Sequence, residues 1–224
     1  WHSYEFKVLI SNLTLFPYYV EIAFFVEVMY IFIAITFYKE LSQQDLRHFL
    51  TIEPAIDGLL FRTPMSAFEL QGFIVQLIEA GFPKDKIIIH SHFKLLKALN
   101  LQCIHFKEND EEAFLIKQQH PELVVGMSTH NIEMVKQCHE WQLDYVFFGH
   151  IFPTSSHPDE HPRTIQEIHD VLEIDIPIYA IGGISPSTIS QLPTAFDGLC
   201  SISFFMTSTV SEINSLKRKW HAHA

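Results

Sequence analysis

One histidine of this chain stands where an apolar run gives way to a loop. His150 follows the segment Tyr145-Val-Phe-Phe-Gly, and Ile-Phe-Pro-Thr154 comes directly after it. An unperturbed imidazole has a pKa of about 6.5, so it can accept and donate a proton near neutral pH. We therefore expect His150 to be a general acid/base. The alternative is that its imidazole only bonds a backbone carbonyl group.

A pair of adjacent glycines marks a second candidate site. Gly182-Gly183 ends an apolar run in a chain that contains only eight glycines. Glycines let the backbone approach a ligand closely, and Ser185-Pro186 predicts a helix N-terminus with free amides just beyond them. Together with the loop at Ile202 and Ser203, this pair predicts a site for a phosphate monoester. The alternative is a turn that is needed only for packing.

The elements that must position these residues alternate in type. We predict eight strands, at residues 29–36, 57–61, 86–90, 102–105, 123–126, 144–148, 176–181 and 197–203. Helices are predicted between them, and three begin at capping-box pairs: Ser42 with Asp45, Ser66 with Glu69, and Thr164 with Glu167. Alternation requires parallel strands with right-handed crossovers. Eight strands favour a single (β/α)8 TIM barrel over an open doubly wound sheet, because no G-x-G-x-x-G motif follows the first strand.

The C-terminal ends of the strands form the mouth of such a barrel, where its chemistry lies. Polar residues follow most of the strands, among them Arg62, His90, Ser91, His92, His105, Asp110, Ser128, Thr129 and His130. His90 and His92 could direct two imidazoles to one side, which leaves a metal-dependent hydrolase open as an alternative. We expect no metal, because no acidic ligand lies in the same strand. Cys200 is expected to be a small core residue.

The composition excludes several classes of function. Lys and Arg number 15 against 26 Asp and Glu, which gives a net charge of −11 and disfavours nucleic acid as a partner. The hydrophobic fraction of 48% is enough for a full core and excludes general disorder. Cys103, Cys138 and Cys200 are widely spaced and odd in number, so we expect neither a disulfide framework nor a zinc ribbon. A cytoplasmic location fits best.

The beginning of the chain differs from the rest. Residues 7–38 are almost continuously apolar. We predict that residues 1–28 form an extension outside the barrel and that residues 29–224 form the barrel. An added structural helix and a membrane anchor are the alternatives. The anchor would place Glu21 and Glu27 near the middle of the membrane, at a cost of about 2–3 kcal/mol each.

Three segments resemble the superfamily of thiamine phosphate synthase and the TenI-type thiazole tautomerase. They are Val125-Gly-Met-Ser-Thr-His130, Asp144 to Thr154 and Ile176-Pro-Ile-Tyr-Ala-Ile-Gly-Gly-Ile184. The resemblance extends from about Tyr30 to Met206. It implies a (β/α)8 barrel that binds a thiazole phosphate at the loops described above.

The resemblance implies one of two reactions. Synthases couple a pyrimidine diphosphate to a thiazole phosphate, with a magnesium ion held by aspartates after strands three and four. Here Ser91 stands at the first of these positions and Asp110 at the second, while Pro64 and His157 stand where synthases carry lysines. Phe148-Gly-His-Ile-Phe152 resembles the tautomerase motif instead. We therefore expect an isomerase that moves a proton within a carboxythiazole phosphate, with no cofactor.

The tautomerase interpretation implies a role for each candidate residue. His150 would move the proton, and Arg62 would pair with the substrate carboxylate. The phosphate would meet the amides of Gly182, Gly183, Ile202 and Ser203, and the hydroxyl partners would be Ser128, Thr154 and Ser156. We expect a small-molecule thiazole phosphate as the partner, no nucleic acid or membrane, and a possible homo-oligomer. A synthase, or a non-catalytic barrel that binds the phosphate and acts through protein contacts, is the alternative.

Overall fold

Eight parallel strands close into one barrel in chain order, as predicted. The computed structural model describes residues 31–154 and 160–222. The strands β1 to β8 are Ile31–Ile35, Gly58–Phe61, Ile87–His90, Cys103–Phe106, Val124–Thr129, Tyr145–Gly149, Ile178–Ile181 and Gly198–Ser201. Each strand pairs with the next one, and β8 pairs with β1, where Ile33 lies opposite Cys200.

Helices cover the outside of the barrel. The helices α1 to α8 are Gln43–Ile52, Ala67–Glu79, Phe93–Ala98, Glu112–Gln119, Ile132–Glu140, Ile165–Leu172, Ser203–Thr207 and Val210–His221. Single 3-10 turns occur at Glu53–Ala55, Lys84–Lys86 and Ile189–Gln191. Each of α1 to α6 follows the strand of the same number and returns the chain to the opposite end of the barrel.

The three predicted capping boxes all form. In each, the hydroxyl of the first residue accepts a hydrogen bond from the backbone N–H three residues later, and the acidic side chain there bonds back. Thr209 and Glu212 make a fourth box at the start of α8. Because the first turn of a helix lacks intrahelical partners for its N–H groups, these pairs fix where each helix begins.

The helix predicted to follow Ser185-Pro186 is absent, and a single 3-10 turn stands in its place. The N–H of Ser185 donates to Oγ1 of Thr188 at 2.9 Å, and that hydroxyl donates to the carbonyl of Gly183 at 2.9 Å. Side-chain bonds of this kind compete with helix formation. Pro193, two residues after the turn, cannot continue a helix because it has no N–H. The prediction was wrong because it weighed only the cap.

The core has two layers, inside and outside the strands. The inner cluster of buried side chains consists of Ile33, Ile35, Leu60, Ile88, Tyr145, Phe147 and Cys200. Cys200 is fully buried, as expected. Outside, Trp220 of α8 meets Phe32 of β1 edge to face, with ring centroids 5.8 Å apart. Alternate residues of each strand therefore serve the two layers, which is what a filled barrel requires.

The predictions for residues 1–28 fall outside the described residues and stay predictions. Within residues 31–154 and 160–222, no helix has the length and apolar character needed to cross a membrane.

Candidate functional site

The ends of parallel strands bring most of the predicted residues to one end of the barrel. Arg62 follows β2, His90 ends β3, Ser128 lies in β5 and His150 follows β6. Thr154 is half-buried in the loop after β6. Ser156 lies outside the described residues. The remaining predicted residues, Gly182, Gly183, Ile202 and Ser203, follow β7 and β8.

His105 holds the predicted substrate hydroxyl of Ser128. Its Nε2 atom lies 2.9 Å from Ser128 Oγ, and its Nδ1 atom lies 3.3 Å from Tyr145 Oη. The imidazole is fully buried and stacks on Phe147, with ring centroids 3.9 Å apart. Burial, and then the nearby His90, lower the pKa of His105 well below its usual value. The imidazole is therefore neutral at pH 7 and serves as a fixed hydrogen-bond partner.

A polar but uncharged group of side chains continues from His105 into the barrel. The Oη atom of Tyr145 lies 3.8 Å from Cys103 Sγ. Burial raises the pKa of Cys103 to about 12, and it raises the pKa of Tyr145 well above its usual value. A Cβ atom at Gly126 would overlap the Tyr145 ring, so only glycine leaves room for it. The glycine of the Val125–His130 motif thus admits the phenol to the barrel interior.

His150 is buried against the loop that follows β6. Only 3% of the residue is exposed, and its Nε2 atom donates to the carbonyl of Glu160 at 3.3 Å. The carbonyl of His150 itself accepts from the N–H of Arg163 at 2.9 Å. This geometry corresponds to the carbonyl-bonded alternative. The acid/base role of His150 stays a prediction.

The Gly182-Gly183 turn packs against the same loop. The two residues have φ values of 97° and 67°, a left-handed region that favours glycine. A Cβ atom at Gly182 would overlap the His150 side chain, and one at Gly183 would lie 2.6 Å from the carbonyl oxygen of Pro153. The glycines are therefore needed for packing, whatever they bind. Because Ile181 lies opposite Cys200, this turn adjoins the start of α7 at Ile202 and Ser203, where helix amides lack intrahelical partners.

Arg62, His90 and His92 form a second group of nitrogen donors, which we call the Arg62 corner. They line a concavity of about 270 Å³ after β2 and β3. The Arg62 guanidinium lies over the ring of Tyr38, 5.2 Å from its centroid. Burial, followed by the charges of Arg62 and His92, lowers the pKa of His90 to about 4. The guanidinium and both imidazoles thus line one concavity, where a single ligand could contact all three.

The magnesium ion that the resemblance to synthases implies does not fit this corner. Mg²⁺ prefers oxygen ligands, carboxylates above all. Ser91 stands where the first aspartate is expected, and Asp110 raises the pKa of His90 from nearby but does not line the concavity. Across residues 31–154 and 160–222, no group of three His, Cys, Asp or Glu side chains could hold a metal ion.

A network that the sequence did not suggest joins three loops of the mouth. The Glu108 carboxylate accepts from the backbone N–H of His130 at 2.7 Å and from its Nδ1 at 2.8 Å. Arg163 donates from Nη1 to the carbonyl of His130 at 2.8 Å. The residues lie 22 and 33 positions apart, and no short motif signals such pairs. The network holds the loops after β4, β5 and β6 together.

Comparison with known proteins decides the family. A family model described as thiamine monophosphate synthase matches residues 73–204. The chain belongs to the thiamine phosphate synthase/TenI family. The superfamily and its place in thiamine biosynthesis, expected from the three segments, are confirmed.

Over the aligned part of the chain, about three residues in ten are identical to those of curated relatives. It is 30% identical over 125 residues to the putative thiamine-phosphate synthase 2 of Aquifex aeolicus, covering 55% of this chain and 67% of that protein. It is 31% identical over 121 residues to the thiamine-phosphate synthase of Geobacillus kaustophilus, covering 52% of this chain and 54% of that protein. The chain thus spans roughly half to two thirds of the length of the curated relatives it matches.

Solved structures support the fold alone. The thiamine phosphate pyrophosphorylase from Pyrococcus furiosus superposes with a TM-score of 0.69 at 18% identity, over 86% of this chain and 96% of that one. The corresponding protein from Bacteroides thetaiotaomicron gives 0.60 at 21% identity, over 88% and 100%.

The comparisons contradict the expected isomerase. The curated relatives are named thiamine-phosphate synthase, which is a transferase. The expectation rested on Phe148-Gly-His-Ile-Phe152, whose histidine lies against the carbonyl of Glu160. A five-residue motif that also packs a loop is a weak basis for choosing between two branches of one superfamily.

Proposed function

We infer that this chain is a transferase of the thiamine-phosphate synthase type, which joins a pyrimidine diphosphate to a thiazole phosphate and releases diphosphate. The observation that carries this is that one barrel mouth contains two separate groups of residues suited to bind anions. One lies in the β7–β8 loops and the other is the Arg62 corner. A reaction between two phosphorylated substrates needs both.

The β7–β8 loops would bind the phosphate monoester of the thiazole. Gly182 and Gly183 supply a backbone turn beside the first turn of α7, whose N–H groups begin at Ile202 and Ser203. Barrels of this kind commonly bind phosphate between the loops after strands seven and eight and a short extra helix. Backbone amides can bind a phosphate even though the molecule as a whole carries a net charge of −11.

Ser128 would contact the organic part of the substrate between these two groups. Its hydroxyl is held by the neutral imidazole of His105, which limits its rotation. A hydroxyl whose direction is fixed before binding loses less entropy when the substrate arrives. Thr154 and Ser156 stay proposed hydroxyl partners from the loop after β6.

The chemistry itself would be a displacement. The ring nitrogen of the thiazole forms a bond to the methylene carbon of the pyrimidine, and the bond from that carbon to the diphosphate oxygen breaks. The diphosphate leaves with the electron pair. Its developing charge is stabilised by positive groups that are already in place, and the guanidinium of Arg62 is such a group.

The test is direct turnover by the full chain. Both substrates are supplied with and without magnesium, and thiamine phosphate and diphosphate are measured. We expect both products in equal amounts and at least a tenfold lower kcat/KM for Arg62→Ala, since one charged contact in a transition state contributes about 1.4 kcal/mol or more. Arg47→Ala, an exposed arginine on α1, is the matched control. Absence of thiamine phosphate in both buffers would contradict the proposal.

A second candidate, a non-catalytic binder of thiazole phosphate, is favoured by Ser91 and Pro64. These stand where synthases carry an aspartate and a lysine. Binding of thiazole phosphate without any turnover would support this candidate over the synthase.

A further inference from the structure

The Arg62 corner lacks acidic groups. Its lining consists of Tyr38, Phe61, Arg62, Thr63, Leu70, His90 and His92, with no carboxylate among them. Among residues 31–154 and 160–222, no carboxylate forms a salt bridge with the Arg62 guanidinium, which is exposed and supported by the Tyr38 ring. A guanidinium that an aromatic ring supports and no carboxylate of the described residues neutralises is suited to an external anion.

The backbone at Ser91 directs both imidazoles to this concavity. Ser91 has a φ of 55°, in the left-handed region, and it separates His90 from His92. In an extended strand, residues two apart also share a face. Here, however, β3 has ended at His90, and the bend at Ser91 leads the chain into α3. The Oγ atom of Ser91 is buried and has no hydrogen-bond partner within the described part of the chain. The serine thus contributes no ligand oxygen to the concavity, while its two neighbours contribute imidazoles.

We propose that the Arg62 corner binds the diphosphate group directly, through Arg62, His90 and His92, in place of a bound magnesium ion. The inference rests on the proposed synthase function. It specifies how diphosphate binding in this chain would differ from the magnesium-assisted binding that the family implies. Guanidinium and imidazole N–H groups donate to phosphate oxygens, whereas a magnesium ion has to be held by carboxylates. The corner contains the first kind of group and lacks the second.

The electrostatic surroundings agree with an anion as the ligand. Burial, Arg62, His92 and Lys107 all lower the pKa of His90, and Asp110 opposes them. The His105 ring lies nearby, tilted, with its centroid 6.4 Å from that of His90, and burial lowers the pKa of His105 well below its usual value. More charged groups around His90 repel a positive charge than attract one, so the Arg62 corner favours a negatively charged ligand.

Binding of inorganic diphosphate, measured by titration calorimetry on the full chain, tests the proposal. We expect binding in the presence of EDTA, and a change in Kd of less than about twofold when magnesium replaces EDTA. His92→Ala and Arg62→Ala should each raise Kd about tenfold, as expected for the loss of a charge-assisted hydrogen bond. His139→Ala, an exposed histidine on α5, is the control and should leave Kd unchanged. Binding that requires magnesium would overturn the proposal.

A reverse variant tests the same point without removing a ligand. Ser91→Asp restores the residue that the family expects, and aspartate tolerates a left-handed φ better than most residues do. We expect magnesium to tighten diphosphate binding at least tenfold in this variant and not in the wild type. Equal insensitivity to magnesium in both proteins would contradict the account given for Ser91.

The two proposals can fail separately. Magnesium-dependent coupling, with no diphosphate binding in EDTA, would overturn the Arg62 corner and leave the synthase assignment standing. Diphosphate binding in EDTA without any coupling would support the corner and overturn the synthase assignment.

Discussion

The Nε2 atom of His105 lies 2.9 Å from the hydroxyl oxygen of Ser128. The histidine comes from β4 and is fully buried, whereas the serine belongs to the neighbouring strand β5 near the barrel mouth. The pair connects the interior of the barrel to its mouth, where we propose that the substrate binds. It also satisfies a ring nitrogen of the buried, neutral imidazole with a hydrogen-bond partner.

This pair predicts coupled losses of affinity for thiazole phosphate. Ser128→Ala and His105→Leu should each raise Kd about fivefold, because one substrate hydrogen bond is lost or misdirected, which corresponds to about 1 kcal/mol. The double variant should bind no more weakly than either single one, since both remove the same contact. Titration calorimetry on the four proteins measures this. Multiplying losses would mean that the two residues act independently.

Gly126 predicts a stability effect that can be tested against another glycine. In Gly126→Ala the new methyl group would overlap the Tyr145 ring, and we expect the free energy of unfolding to fall by about 1–3 kcal/mol. Gly72→Ala is the control. Gly72 lies within α2 with open space at its Cβ position, so alanine should stabilise the protein by about 0.5–1 kcal/mol. Urea unfolding compares the two, and a fully stable Gly126→Ala would contradict the packing described.

Buried histidines predict that the protein loses stability in acid. An imidazole in the unfolded chain has a pKa of about 6.5. In the folded chain burial lowers the pKa of His90 to about 4, and that of His105 well below its usual value. The unfolded state therefore binds more protons below about pH 6.5. The contribution of these neutral histidines to the free energy of unfolding is fully present above about pH 6.5, and it is lost as the pH drops towards 4.

Removing one of these histidines should flatten the pH dependence. Between about pH 7.5 and pH 5, His105→Gln should lose about 2 kcal/mol less than the wild type, because the proton uptake of one imidazole is absent. Urea unfolding at the two pH values measures the difference. His139→Ala removes an exposed imidazole and should keep the wild-type pH dependence. The same slope in His105→Gln and wild type would show that His105 is not buried in its neutral form.

Removal of the Arg163 side chain is expected to let the loops at the barrel mouth open locally. Its side chain donates to the carbonyl of His130, and its backbone N–H donates to the carbonyl of His150. Arg163→Ala removes the first bond and should increase hydrogen exchange at amides of the β5 and β6 loops about tenfold, which corresponds to about 1.4 kcal/mol of local stability. Arg47→Ala on α1 should leave the exchange of these amides unchanged. Uniform faster exchange over the whole barrel would indicate global destabilisation instead.

The sequence predicted the barrel well because its signals are local. Apolar runs fall within a few residues of all eight observed strands, and the three capping boxes were read from pairs three positions apart. The helix predicted after Ser185-Pro186 was wrong for a local reason too, since the prediction did not consider the Thr188 hydroxyl that competes with helix formation.

The candidate site was predicted in its parts but not in its connections. Ser128 was expected to meet a substrate, but nothing in the sequence pairs it with His105, 23 positions away. His150 was assigned a proton-transfer role without knowledge of Glu160, which covers its Nε2 atom. One signal in the sequence could have placed His105 on the same face of β4 as Cys103. Cys103 and His105 alternate along β4, and such alternation places both on the face opposite to Ile104.

The pairing of β8 with β1 has a consequence for how the protein is made. Ile33 can meet Cys200, and Phe32 can meet Trp220, only after almost all of the described chain has left the ribosome. Until then β1 has one unpaired edge, which is prone to join a strand of another nascent chain. Contacts between such distant residues also slow folding. We therefore expect the need for chaperones during synthesis to last until residues 198–220 have emerged, because these residues close the barrel.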